Sequence, residues 1–148
     1  METEEKPKTQ FVIVKGLVIN SEGKILMVQR KKEWHKEAHA KWEFPGGKVD
    51  FGETPAEACI REVREESGFN VKIRRLLPEI LSSRWEYPNR HSQQILICYL
   101  CDLIDGKISL EDHGVMDVKW YPPEEILKLD VLPGTHEFLK EYLKQLVG

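Results

Sequence analysis

The chain has 148 residues, 41% of them apolar and 32% charged, and its 22 basic and 25 acidic residues leave a net charge of −3. That length fits one domain with a core of its own, and the slight acidity gives no support to a broad nucleic-acid-binding face. No apolar run reaches the roughly 20 residues that span a bilayer, and the polar start Met1–Gln10 has no apolar signal core, so a cytoplasmic protein is expected.

Residues 1–9 are charged and read as a flexible tail, with 10–148 as a single domain. Phe11 to Ile19 and Lys24 to Gln29 have the pattern of strands, joined by the turn Asn20-Ser21-Glu22-Gly23. Arg30 to Lys41 is a polar, basic connection that carries Trp34, His35 and His39. Its cations either hold phosphate or face solvent, and both readings stay open. The two histidines are four apart but lack a His-Glu-x-x-His pattern, which argues against zinc. Trp42 to Phe44 is a short strand before the glycine pair Gly46-Gly47.

The segment from Thr54 to Gly68 reads as a helix. Thr54 is an N-cap, Pro55 suits the first turn, Glu57 completes a capping box, and Gly68 supplies a left-handed stop. Ala56, Cys59, Ile60 and Val63 form an apolar stripe. Glu62, Glu65 and Glu66 fall on the flank and back, where like charges three and four apart repel. Arg61 relieves part of that repulsion, and a bound Mg²⁺ would relieve the rest through carboxylate oxygens, water and phosphate.

Asn70 to Leu77, Ile80 to Trp85 and Gln93 to Leu103 are further strands, with a short one at Ile108 to Leu110 and another at Asp117 to Tyr121. Between the second and third of these, Arg84-Trp85-Glu86-Tyr87-Pro88-Asn89-Arg90 is a turn of aromatic and basic residues. It either stacks a nucleobase or packs as an ordinary edge loop. Cys98 and Cys101 are three apart in a strand, so they point to opposite faces; with Cys59 they read as buried thiols rather than metal ligands. Pro122 opens a short helix ending near Leu129, and Thr135 caps a last one that buries Phe138, Leu139, Tyr142 and Leu146. These elements define an α/β (α+β) fold.

Between Gly47 and Phe69 the chain meets the pattern Gly-x5-Glu-x7-Arg-Glu-apolar-x-Glu-Glu-x-Gly-apolar at every position. A chance match at one window is on the order of one in 10⁹. The segment resembles the Nudix box, and the flank Lys41-Trp42-Glu43-Phe44-Pro45-Gly46-Gly47 resembles the MutT-like branch. The resemblance implies an α/β/α sandwich with a mixed central sheet, and metal-dependent hydrolysis of a pyrophosphate bond in a nucleotide, with Mg²⁺ or Mn²⁺. It implies Glu62, Glu65 and Glu66 as metal ligands, with the carbonyl of Gly46 and an outside acid, Glu111 or Asp112. Glu62 is the candidate activator of water, with Arg61 and Glu65 beside it as catalytic residues; Glu53 supports the turn. Arg30, Phe44, Lys48, Arg84 and Thr135 are the candidates for substrate binding. The MutT-like branch can read its base with an asparagine after a proline turn, where this chain has Leu132-Pro133-Gly134-Thr135. A hydroxyl cannot donate and accept as an amide does, which weakens an oxidised-guanine assignment. The expected partner is a small nucleotide and the expected state a monomer or homodimer. The alternatives are a pyrophosphatase for ADP-ribose or another nucleoside diphosphate sugar, and a non-catalytic nucleotide-binding domain.

Overall fold

The computed structural model describes residues 5–147. In chain order, β1 (Lys8–Ile19), β2 (Ile25–Arg30), β3 (Trp42–Glu43) and β4 (Gly46–Lys48) precede α1 (Pro55–Ser67). There follow β5 (Phe69–Leu76), β6 (Leu81–Tyr87), β7 (Arg90–Gly106), β8 (Val115–Tyr121), α2 (Pro123–Ile126) and α3 (Thr135–Val147).

One mixed sheet joins all eight strands, with the path β3-β2-β1-β7-β5. Its axis is the parallel pairing of β1 and β7, in register from Lys8↔His91 to Ile19↔Asp102. The long strand β7 has two successive antiparallel partners. Its first half pairs with β6 (Leu81↔Leu96 to Tyr87↔Arg90) and its second half with β5. β4 pairs with β1 through Ile13↔Lys48, Val14↔Gly47 and Lys15↔Gly46, so the glycine pair is a short strand and not a turn.

Alternation along β1 supplies both faces. Val14 and Val18 join Leu26 and Val28 beneath Ala58, Cys59 and Val63 of α1. Ile13 and Leu17 join Ile25 and Met27 beneath Ile126, Phe138, Leu139 and Tyr142 of α2 and α3. The result is an α/β/α sandwich. The caps of α1 form as the sequence requires: Thr54 and Glu57 make the reciprocal capping box, and Gly68 is left-handed at φ 89°. Thr135, expected as a cap, is instead the first residue of α3.

Several expectations change. Pro7 accepts a hydrogen bond from the His91 amide and Lys8 and Thr9 belong to β1, so residues 7–9 of the segment expected as a tail are tied to the sheet; residues 1–4 lie outside the described residues. Ile108 to Leu110 is not a strand, because β7 ends at Gly106 against Phe69 and no further edge partner remains there. The buried face of α1 is Ala58, Cys59, Val63, Glu66 and Ser67, so Glu66 faces inward, not outward. Leu146 is exposed on the last turn of α3.

The approach of α1 to the sheet depends on Gly16. A Cβ built there would lie 2.8 Å from Cγ2 of Val63 and 3.2 Å from Sγ of Cys59. Gly16→Ala therefore forces α1 away from β1. We expect a loss of about 2 kcal/mol, read as a lower urea midpoint at unchanged slope.

Candidate active site

A cavity of about 220 Å³ opens where β1, β4, β6, β7 and α1 meet. Ile13, Lys15, Gln94 and Leu96 come from the two central strands, and Ser83, Trp85 and Tyr87 from alternate positions of β6. The loop after β2 adds Lys32, His35 and Ala38, and the turn before α3 adds Leu132 and Pro133. Glu62 and Glu66 reach the cavity from α1, Glu62 against Gly47 and Glu66 against the amide of Gly46.

One end of the cavity is a network of buried charge. The Arg30 guanidinium donates to Glu43 (Nε to Oε2, 2.6 Å) and pairs with Glu66 (Nη1 to Oε2, 2.9 Å). Lys15 pairs with the other oxygen of Glu43, and the Gly46 amide donates to Oε1 of Glu66 at 2.9 Å. Burial alone would raise the Glu43 carboxyl, but Lys15 and Arg30 override it and hold the group at about 2. Burial outweighs Arg30 at Glu66, whose carboxyl is pushed up. Burial also raises Glu62 against the pull of Arg61, and it lowers Lys32 together with the neighbouring charge of Arg30.

The outer flank of α1 turns on Arg61. Its guanidinium donates to Glu53 (2.6 and 2.8 Å), Glu62 (2.9 Å), Glu65 (3.1 Å) and the Lys48 carbonyl (3.2 Å), with Asp50 at 3.3 Å. The hydrogen bonds from Arg61 hold the Glu53 carboxyl down at about 2. Glycine at 47 makes room for this arrangement, since a Cβ there would lie 2.6 Å from the Glu62 carboxyl carbon.

The residues expected in the site divide. Arg30, Lys48, Gly46, Glu62 and Glu66 line the cavity. Glu65 is half exposed and bound to Arg61, outside the cavity. Phe44 is core, 1% exposed beneath α3, because strand alternation turns it away from Glu43. Arg84 points to the opposite face from Ser83 and Trp85 and pairs with Glu86. Thr135 is buried at the first turn of α3, and Leu132 and Pro133 take the cavity wall instead. Glu111 is exposed in the loop before β8 and outside the cavity; Asp112 is the loop acid whose charge reaches Glu62.

Lys15, Glu43, Gln94 and the ring of His35 are site residues that sequence patterns did not single out. The alternation of β1 signals Lys15, a lone cation in an apolar strand, and the others require the fold. His39 Nδ1 accepts from the Lys32 amide (3.1 Å) and His35 stacks among rings, so the pair is not a zinc site. The three cysteines are free and buried, with Cys98 and Cys101 in the cores on opposite faces of the sheet.

Among the described residues no three acidic, histidine or cysteine ligands converge on a preformed cation position. The donors nevertheless fit a hard cation that keeps water and phosphate in its shell. Glu62 and Glu66 present only oxygen, and burial has raised both carboxyls, an effect an adjoining cation reverses.

The NUDIX domain model matches residues 9–143. The chain belongs to the NUDIX family, whose hydrolases generally use divalent metals. It is 34% identical to an ADP-ribose pyrophosphatase of Methanocaldococcus jannaschii, over 86% of this chain and 70% of that protein. It is 28% identical to a CTP pyrophosphohydrolase of Escherichia coli, over 90% of this chain and 93% of that protein. The fold is shared with a MutT protein from Methanosarcina mazei at a TM-score of 0.74 and 24% identity, covering 97% of this chain and 98% of the other.

Glu43→Gln leaves Lys15 and Arg30 buried without their shared partner, which we expect to destabilise the fold by about 3 kcal/mol. The folded pKa of Glu43 is depressed from 4.5 to about 2, so its stabilisation is present above pH 4.5 and lost as pH falls toward 2. Urea unfolding of the variant should show a shallower loss of stability across that window than the wild-type chain.

Proposed function

We propose that this chain hydrolyses a pyrophosphate bond in a nucleoside triphosphate or a nucleoside diphosphate derivative, with Mg²⁺ or Mn²⁺. One observation carries the reading: Glu62 and Glu66 enter the same cavity as Lys15, Arg30, Lys32 and Lys48. Family membership and the pyrophosphatase names of its relatives support the same reaction type.

Each residue has a distinct task. Lys15 and Arg30 are engaged with Glu43 and Glu66, whereas Lys32 and Lys48 make no ion pair among the described residues and would meet phosphate oxygens. An anion beside Lys32 would restore the pKa that burial and Arg30 lower. Glu62 and Glu66 are the metal-holding carboxylates, with Gly46 placed next to Glu66 by its amide hydrogen bond. What a bound cation supplies is neutralisation of the pyrophosphate, polarisation of a phosphoryl oxygen and a lower pKa for water. Glu62, which lines the cavity and is held by Arg61, would accept the proton of the attacking water. Arg61 orients Glu62 and Glu65 as a positioning residue.

ADP-ribose is the second substrate reading. The archaeal relative named an ADP-ribose pyrophosphatase, 34% identical, favours it.

The test is a panel of normal and oxidised nucleoside triphosphates, dinucleoside polyphosphates and ADP-ribose, each with Mg²⁺, Mn²⁺ or EDTA. Pyrophosphate release from a triphosphate supports the first reading, and cleavage of ADP-ribose alone supports the second. Glu66→Gln keeps an oxygen for the Gly46 amide but loses the charge, so we expect a folded protein with turnover reduced by about 10³-fold. Near-normal turnover in that variant would remove Glu66 from the metal site.

A further inference from the structure

The cavity has a second end that the phosphate chemistry does not use. Trp85 and Tyr87 lie two apart on β6, so both face the cavity, and His35 stands edge-on to them at centroid distances of 4.7 and 5.3 Å. Trp34 stacks on His35 at 5.6 Å and lies 6.2 Å from the Tyr87 ring. Arg90 lies over the Tyr87 ring at 4.0 Å, and Lys32 lies beside Trp34 at 5.8 Å. Trp85 lines the cavity, and among the described residues no cation lies over its ring. His35 holds its place although its Nδ1 is buried without a hydrogen-bond partner among the described residues, where an apolar ring would pack without that penalty.

Beside this wall sits an unengaged amide. Ser83 of β6 and Gln94 of β7 are directly opposite in register, so their side chains adjoin on the cavity face. Gln93 turns the other way and donates to Gln10 at 2.6 Å, whereas the Gln94 amide makes no hydrogen bond among the described residues. A free carboxamide carries donors and an acceptor at fixed spacing, the pair that a base edge presents in complement. An aromatic ring and such an amide on one cavity face suit a flat heteroaromatic ring that stacks and is read along one edge.

We propose that Trp85 and Gln94 form the nucleobase subsite of this cavity, Trp85 by stacking and Gln94 by hydrogen bonding to the base edge, with Ser83 beside it. His35 and Tyr87 are positioning residues that fix the Trp85 ring. The subsite places specificity on the β6–β7 hairpin and not at Thr135. It rests on the hydrolase reading for the phosphate end of the cavity.

The experiment is calorimetric titration with the four common ribonucleoside 5′-monophosphates and with ribose 5-phosphate, without divalent metal. Wild-type protein should bind at least one nucleotide about tenfold more tightly than ribose 5-phosphate. Trp85→Ala should bring the two to within about twofold, while Trp85→Phe, which keeps a ring, should retain most of the preference. Gln94→Leu should keep a preference for nucleotides but flatten the ranking among the four bases. Circular dichroism checks that each variant folds; should Trp85→Ala fail, the Phe and Leu variants still decide. Equal binding of nucleotides and ribose 5-phosphate by the wild type would overturn the subsite, as would wild-type preference in Trp85→Ala. An unchanged ranking in Gln94→Leu would overturn the role of the amide. Base preference without turnover would remove the hydrolase and leave the subsite, whereas turnover without base preference would do the reverse.

Discussion

Arg30 joins four elements that are distant in sequence. Its guanidinium sits at the end of β2, between Glu43 of β3 and Glu66 of α1, and Glu66 in turn accepts the amide of Gly46 in β4. Desolvating such charges costs several kcal/mol per ion unless each has close partners. The network meets that condition only when β2, β3, β4 and α1 are all in place, because every member takes its partner from another element. A partly formed site is therefore unfavourable, and the carboxylate that faces the cavity is set in one orientation by the same contacts that close the fold.

The other flank of α1 follows the opposite logic. Four carboxylates, those of Asp50, Glu53, Glu62 and Glu65, surround the single guanidinium of Arg61. The excess negative charge is tolerable there because Asp50 and Glu65 remain at least half exposed and solvent screens them. Glu62 sits at the boundary between this screened set and the buried one. Its two sides pull differently: Arg61 favours the anion, while desolvation and the charge of Glu65 and Asp112 disfavour it. A group balanced in that way changes protonation with a small change in surroundings, which a site that handles both cations and protons requires.

How much of this could be read beforehand depends on the range of the interaction. The α1 boundaries rest on contacts within four residues, Thr54 with Glu57 and Gly68 with Arg64, and these were legible. The inward orientation of Glu66 was not, since its partner Arg30 lies 36 positions earlier and a helical wheel places every glutamate with solvent. Arg84 to Arg90, expected as a turn, is strand as far as Tyr87, because the pairing with β7 extends to Tyr87↔Arg90 and also decides which face meets the cavity. Phe44 and Thr135 were placed by motif position, and both are consumed by core packing that motif position does not report. Of the expected metal-holding residues Gly46, Glu62 and Glu66 line the cavity and Glu65 and Glu111 do not, while the other walls emerge only from long-range strand pairing.

That difference has a structural basis. The phosphate end is built from one contiguous stretch, Glu43 to Glu66, plus single cations from β1 and β2. The aromatic end is built from the β6–β7 hairpin and the loop after β2, which meet only through His35 and its neighbours. Changes in the hairpin can alter the ring wall and the Gln94 edge without touching Arg30, Glu66 or Arg61. The two ends share the floor of β1 and β7, paired in parallel over twelve residues, and the loop after β2, which sends Lys32 to one end and His35 to the other. The proposed chemistry and the proposed base recognition thus draw on different strands of one sheet and meet at the loop after β2.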